Sequence, residues 1–471
     1  MRPHPPAHEP PDPLRWRILA LLSAAQFMLV LDVTVVTVAL PDIGAGLALG
    51  RTQLTWVVTA YTLMFGGLML LGGRAADLVG ARRLVLAGLA VFTAASLTAG
   101  LAGDAAVLIG ARMLQGVGAA LLSPAALSVV ATTFHGQERN RALGVWAAVG
   151  GTGSAVGVLV GGLLTAGPGW EWIFHVNVPI GLALLALLPG ALPVTARATR
   201  RDPLDIPGAL LVTSATAATI YGLTNAGDDG WGAPGTLVPL AAGLALYVAF
   251  GLLQHRSPAP LMRLALLARR PVLTGAFLML VATALLISSF FLGSFYLQGP
   301  EGHGPLATGA LFLPVAVGTV VGAQLAGHAM GRVGPRWVAV PGLLTAAGGL
   351  AIPAAGAGTV SLVVGLSVAA AGLGAGFVAA TTTALARVEP AEAGLTSGIV
   401  NTCHEFGGAI GVPVVSSIAG AGIAAGGAAA PDGLADALTF TTLTAAAAAV
   451  AALILVPAGR LPAGAATAHV H

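Results

Sequence analysis

The residue of this chain best placed to do chemistry is an acid inside an apolar helix. Asp32 stands in Leu31-Asp32-Val33-Thr34-Val35-Val36-Thr37-Val38-Ala39-Leu40-Pro41, which closes an apolar run beginning near Trp16. Placing a carboxylate in hydrocarbon costs about 2.5–3.5 kcal/mol on insertion scales, so such a residue faces a cavity or a partner and marks an ion or substrate path. The competing reading is an acid that only pins helix packing. Arg112 is a second charge inside an apolar run. Asp32 lies eight residues before Leu40 and Arg112 six residues after Ala106. Those offsets are depths of about 12 Å and about 9 Å below the outer ends of the two helices. Charges at similar depth lower each other's cost by pairing, directly or through water. Burial and a neighbouring guanidinium act in opposite senses on the proton affinity of a carboxyl, which suits Asp32 to taking up and releasing a proton. The alternative for Arg112 is a structural tie between the first and fourth helices. Gln115, three residues on, shares its helix face and either supports Arg112 or meets substrate.

Glu405 is a second intramembrane acid, roughly nine residues into a late apolar run and roughly 14 Å from its end. Asn401 lies one turn before it on the same face, and His404 precedes it directly. The group is either a second proton and substrate site or a means of fixing the charge of His404. His404-Glu405-Phe406-Gly407-Gly408 lacks the second His of a zinc-protease helix, so metal catalysis is not expected. A third set, Gly73, Asp77, Gly80, Arg82 and Arg83, falls in a short polar loop between the second and third apolar runs. There a helix-end charge contact at Asp77 would change as two halves of the molecule rock; plain topology-setting by arginine is the alternative, and the preferred one for Arg83.

Positioning these residues requires a membrane. Of the 471 residues, 56% are hydrophobic and 8% charged, too few polar groups to cover a soluble protein of this length. All 21 basic residues are Arg. Without Lys there is no P-loop, and no polar stretch is long enough for a nucleotide-binding domain, so ATP-driven pumping is not expected. The single cysteine, Cys403, excludes an internal disulfide. The first apolar run is too long for a signal peptide and is expected to be retained.

Apolar runs near the roughly 20 residues needed to cross a bilayer recur at about 16–40, 53–73, 84–103, 106–133, 142–166, 174–193, 206–224, 236–254, 272–297, 306–329, 337–355, 359–386, 396–420 and 438–457. The arginines test that series of fourteen. With the N-terminus inside, 19 of the 21 fall in cytoplasmic segments, Arg51 in an outer loop and Arg112 within a span, the asymmetry expected of a correctly alternating topology. Gly73, Gly80 and Arg82 recur as Gly327, Gly334 and Arg336, 254 residues later. Matching the second run to the tenth implies two six-helix bundles with two helices inserted between them, a parallel-repeat transporter architecture. Gly331 replaces Asp77 in the second copy, so any charge latch is one-sided.

These stretches resemble the fourteen-helix drug:proton antiporter branch of the major facilitator superfamily over essentially the whole chain. Leu31-Asp32-Val33-Thr34 through Ala39-Leu40-Pro41 is similar to its first-helix motif, Trp56 and Tyr61 to its second helix, and Gly73 to Arg83 to its loop motif. Arg112-Met113-Leu114-Gln115-Gly116 resembles its fourth-helix motif. Trp170-Glu171-Trp172-Ile173-Phe174-His175-Val176-Asn177-Val178-Pro179 resembles the signature that opens its sixth helix, and Ser397 to Gly408 its thirteenth. The chain departs from the pattern in three places. Val158 follows Gly157 where the antiporter motif has Pro, Glu171 replaces Arg, and His404-Glu405 replaces Arg-Gln.

The resemblance implies an all-α polytopic membrane protein of the major-facilitator fold with 14 transmembrane helices. The expected division is a disordered cytoplasmic N-terminus at 1–15, a bundle at 16–193, linkers with two inserted helices at 194–271, a bundle at 272–457 and a cytoplasmic tail at 458–471. The implied activity is proton-coupled export of small apolar or cationic compounds, with Asp32, Arg112, Gln115, Asn401, His404 and Glu405 as the proton and substrate residues. The expected partners are a small-molecule substrate, protons and the lipid bilayer of a bacterial inner membrane, with no cofactor, metal or nucleic acid, and the chain a monomer. Transport of a specific metabolite or peptide by uniport or symport, and a non-transporting membrane sensor or partner protein, remain alternatives. No nucleophile–base–metal set supports an enzyme.

Overall fold

A computed structural model of the chain describes residues 14–134, 136–192, 204–258, 260–356, 358–386, 388, 392–420 and 430–457. The N-terminal segment 1–13, the linker at 193–203, the tail at 458–471 and Arg2, Arg197, Arg200, Arg201, Arg387 and Arg460 lie outside the described residues. Everything described is helix or short connection. The helices are α1 (Arg15–Gly46), α2 (Arg51–Val79), α3 (Ala81–Gly100), α4 (Ala105–Thr133), α5 (Gly136–Ala166), α6 (Trp172–His175), α7 (Asn177–Ala191), α8 (Ile206–Asp229), α9 (Pro234–Arg256), α10 (Leu264–Leu267), α11 (Arg270–Gln298), α12 (Pro305–Val333), α13 (Arg336–Ala355), α14 (Thr359–Leu385), α15 (Ala393–Ala419) and α16 (Ala430–Leu455).

Helix is the structure this composition demands. In hydrocarbon every backbone N–H and C=O must be paired within the segment. The hydroxyls follow the same rule by bonding back to their own helix: Thr37 Oγ1 donates to Val33 O at 2.9 Å, Thr59 Oγ1 to Thr55 O at 2.9 Å and Ser96 Oγ to Phe92 O at 2.8 Å. Side chains close the helix ends. Asp104 Oδ1 accepts from Val107 N to start α4, and Asp205 Oδ1 accepts from Gly208 N to start α8.

Among the described residues, twelve helices are long and apolar enough to cross a membrane. Every expected apolar run coincides with a helix, but α5 and α15 are not among those twelve. The described apolar part of α5 is the shorter stretch Ala155–Ala166, and α15 carries Asn401, His404 and Glu405 near its middle. The sixth run is two helices, α6 and α7, joined at Val176.

Two boundaries differ from the sequence reading. Helix α1 does not close at Leu40 but continues through Pro41 to Gly46, because a helix already formed carries a proline when packing holds it. Asp32 therefore lies fourteen residues from that end, about 21 Å along the axis. The polar loop after the second run is almost absent. Gly73 and Asp77 belong to α2, Arg82 and Arg83 to α3, and Gly80 alone links them at φ 103°. Glycine is needed there because a side chain at that φ would be strained. Gly334 makes the matching link between α12 and α13 at φ 85°.

Helices α1 to α7 pack chiefly among themselves, with α1 on α5, α2 on α4, and α3 on α4 and α7. Helices α11 to α16 do the same, with α14 against α11, α12 and α13, α11 on α15 and α13 on α16. The two groups meet through α2 with α15, α5 with α12 and α1 with α11, and α8 lies against both α2 and α15 with α9 behind it. Apolar burial gives no net drive between helices in lipid, so close approach of small residues does this work. At Gly72 a Cβ would lie 2.0 Å from Ala120 O, which brings α2 and α4 into backbone contact.

Candidate functional site

The helices bring Asp32, Arg112 and Gln115 together in one buried polar cluster, as the sequence spacing predicts. The Asp32 side chain is 0% exposed and that of Arg112 1%. Arg112 Nη1 donates to Asp32 Oδ2 and to Gln115 Oε1 at 2.9 Å, while its Nε donates to Val57 O at 3.0 Å. Gln115 Nε2 donates to Asp32 Oδ1 at 3.0 Å and to Ser96 Oγ at 2.8 Å. Asn177 Nδ2 completes the carboxylate shell, donating to Asp32 Oδ1 at 3.0 Å. Five helices contribute: α1 the acid, α4 the arginine and glutamine, α3 Ser96, α2 the Val57 carbonyl and α7 the asparagine.

Aromatic faces wall the cluster. The Arg112 guanidinium carbon lies 4.6 Å from the Tyr61 ring centre and 5.9 Å from that of Phe174, within cation–π range. Tyr61 also stands within electrostatic reach of both Asp32 and Glu405. Two polar atoms here are buried without a partner among the described residues, Tyr61 Oη and Asn177 Oδ1.

The sequence reading did not assign Asn177 or Ser96 to the site. Asn177 had a signal: it is the only polar side chain between Val176 and Leu192, and a lone amide in an apolar span needs a partner. Ser96 had none, since serines are common in small-residue helices.

Glu405, His404 and Asn401 form a separate group on α15. His404 Nδ1 lies 3.2 Å from Glu405 Oε1, and no hydrogen bond joins either to Asp32 among the described residues. Glu405 lies twelve residues after Ala393, where α15 begins, about 18 Å along the axis. A Cβ on Gly66 of α2 would lie 2.7 Å from the Glu405 Cβ, so this acid sits where the two helix groups meet. On α15, Gly398 approaches α2, Gly407 and Gly411 approach α11, Gly408 lies between the two, and Ile399, Cys403, Phe406 and Ile410 belong to an apolar cluster that also holds residues of α2, α8, α9 and α11. Asn401 is exposed. His404 has the Phe377 ring 5.9 Å away and keeps 44% of its side chain exposed. One acid is thus sealed among three donors, and the other, 12% exposed, has His404 as its hydrogen-bond partner among the described residues.

The third set is not part of either group. Arg82 Nη2 donates to Pro189 O at 2.7 Å near the end of α7, and Arg83 is exposed. A Cβ on Gly73 would lie 3.7 Å from Pro124 of α4, and the side chain of Asp77 lies outside the described residues. In the repeat, Arg336 Nε donates to Val456 O at 2.7 Å just past α16, and Gly331 has open space around it. Each motif arginine therefore ties the third helix of its group to the end of the last.

Residues 22–412 match the family model described as Major Facilitator Superfamily. The chain belongs to that superfamily. A puromycin resistance protein of Streptomyces alboniger is 40% identical over 429 residues, spanning 87% of this chain and 82% of the relative. A cephamycin export protein of Amycolatopsis lactamdurans is 37% identical over 422 residues, 86% and 85% of the two chains. A lincomycin resistance protein of Streptomyces lincolnensis is 36% identical over 414 residues, 86% and 84%. Among solved structures, a peptide transporter in complex with sulfate superposes with TM-score 0.66 at 16% identity over 93% of this chain and 94% of its own. A bacterial homologue of the lysosomal transporter Spinster, in an inward-facing unoccupied conformation, superposes with TM-score 0.62 at 17% identity over 98% of each chain. These two show the fold. This major facilitator protein is accordingly a multi-pass membrane transporter of small molecules and not an enzyme.

Proposed function

We propose that the protein is a proton-coupled exporter of small apolar or cationic compounds, antibiotics among them, working by alternating access in a bacterial inner membrane. The observation that carries the reading is the carboxylate of Asp32, wholly buried and enclosed by Arg112, Gln115 and Asn177. A charge so placed is retained for function at a cost in insertion. In this reading Asp32 takes up a proton in one half of the cycle and releases it in the other. Substrate favours the deprotonated form, so inward proton flow drives export. Glu405, with His404 and Asn401 beside it on α15, is the second acid that substrate and protons meet. Three relatives named for resistance to or export of puromycin, lincomycin and cephamycin support an antibiotic-like cargo.

The same reading takes α5 and α15 as spans, making fourteen, with 16–193 and 272–457 as the two rocking bundles and α8 and α9 as the inserted pair. It places both termini in the cytoplasm, as the arginine distribution requires, and the functional unit is one chain.

The test is ethidium and puromycin transport into inverted vesicles energised by a proton gradient. The parent accumulates both. Asp32→Asn at equal protein level loses gradient-driven uptake, and Glu405→Gln reduces it. Undiminished uptake by Asp32→Asn overturns the role given to Asp32.

A further inference from the structure

A buried carboxyl that cycles between two protonation states needs surroundings that serve both. The carboxylate wants only donors. The acid O–H wants an acceptor. Arg112 can donate only. Gln115 is an amide with both kinds of atom, but it is held at each end: Oε1 accepts from Arg112, and Nε2 donates to Asp32 and Ser96. Turning it over would set its nitrogen against the guanidinium. Asn177 differs. Its Nδ2 donates to Asp32 Oδ1, while its Oδ1 is buried with no partner among the described residues. An unpartnered buried amide oxygen costs about as much as a lost hydrogen bond, so its retention calls for a reason.

We propose that Asn177 is the positioning residue that follows the proton on Asp32. With Asp32 ionised, Nδ2 donates to the carboxylate. When a proton from the gradient binds Asp32 Oδ1, the amide turns over about its last side-chain bond, and its Oδ1 accepts from the new O–H. The proton adds to one oxygen, no covalent bond breaks, and no other group changes charge. The two amide orientations occupy the same space, so the exchange needs no repacking of α7. The inference rests on Asp32 being the proton site.

The other titratable groups around Asp32 are few. On α2, Tyr61 lies within its electrostatic reach, and Glu405 of α15 acts on the same tyrosine. On α4, Arg112 is paired with it. The charged residues of α5, α11 and α12 stand at helix ends: Glu138, Arg139 and Arg141; Arg270; and His328 and Arg332. His175 of α6 lies against Gly100 of α3.

Infrared difference spectra of the reconstituted full-length protein, recorded against pH, test this directly through the carbonyl band of protonated Asp32. The band is identified by its loss in Asp32→Asn. Asn177→Leu removes the donor from one state and the acceptor from the other. The midpoint then stays within about half a pH unit of the parent's, and the carbonyl band moves to higher frequency because the acid O–H has lost its acceptor. Asn177→Ser, whose hydroxyl donates and accepts, returns the band towards its parent position and keeps the assignment testable if the leucine variant folds poorly. If Asn177 serves only as a donor to the carboxylate, Asn177→Leu raises the midpoint by about one to two pH units, the size of one hydrogen bond to a charged group, and leaves the band in place. That result overturns the inference while sparing the proton site. A parent spectrum identical to that of Asp32→Asn overturns both.

Discussion

Arg112 has more geometry than charge alone would require. Its Nε reaches the Val57 carbonyl and its Nη1 serves both Asp32 and Gln115, a fork that a lysine cannot reproduce. Arg112→Leu strands the buried carboxylate, and removing one member of a buried pair costs about 3–5 kcal/mol. Thermal unfolding in detergent should show that loss. The double variant Asp32→Asn/Arg112→Leu should recover a large part of it, since no charge is left unpaired; strict additivity of the two single effects would contradict the pairing. Arg112→Lys should fold better than Arg112→Leu yet transport poorly. Asp32, Arg112 and Gln115 were legible in the sequence because a charge in an apolar run is anomalous by itself and Arg112 and Gln115 share a helix face. The Val57 carbonyl and Ser96 were not, since their roles exist only once α2, α3 and α4 have packed. The pairing of Glu405 with His404 was legible from adjacency, but its separation from Asp32 depends on how α15 meets α2.

At the scale of helices, glycine contacts separate sites that look alike in sequence. A Cβ at Gly72 would lie 2.0 Å from a backbone oxygen of α4, whereas one at Gly331 meets nothing within 4 Å. Gly72→Ala should therefore destabilise by about 1–3 kcal/mol, as overpacking does, and Gly331→Ala should be neutral or slightly stabilising; equal thermal stability of the two would refute the α2–α4 contact. The helices themselves were readable from apolar runs and Arg alternation, but their ends were not. Pro41 and the turn at Gly80 show why: packing carries α1 past a residue that usually ends a helix, and two helices can meet through one glycine. Outside the spans, the connection between α11 and α12 holds a pH-dependent contact. Thr359 and then Tyr296 donate to Glu301 and hold its carboxyl below the ordinary range. A lowered native value adds stability above the ordinary carboxyl pKa and loses it as pH falls through the lowered one. The stability gap between the parent and Thr359→Val should accordingly be full at neutral pH and close on acidification below about pH 4.

Across the whole molecule, the two helix groups are joined at the end of the molecule that carries Arg51. Arg51 donates to Asp228 of α8, the Thr224 carbonyl and Ser416 of α15, Gln298 of α11 donates to Val38 O of α1 at 2.7 Å, and a Cβ on Gly309 of α12 would lie 2.4 Å from Val158 O of α5. Alternating access requires these contacts to part. A side chain at Gly309 has no room against the Val158 carbonyl while the seam is closed, so Gly309→Leu should hold α5 and α12 apart and slow transport at equal protein level. Undiminished transport by Gly309→Leu would contradict rocking at this seam. The motif arginines, by contrast, act within each group, binding Pro189 O and Val456 O. That repeat was visible as a 254-residue spacing, but what the arginines hold was not, because their carbonyl partners carry no sequence signal. The central claim is that the enclosed carboxylate of Asp32 exchanges its proton for substrate. Proton release on adding ethidium or puromycin to the purified protein, in lightly buffered detergent, measures it most directly. The parent should release protons on binding and Asp32→Asn should release none while still binding the compound; undiminished release by Asp32→Asn would place the exchanged proton elsewhere.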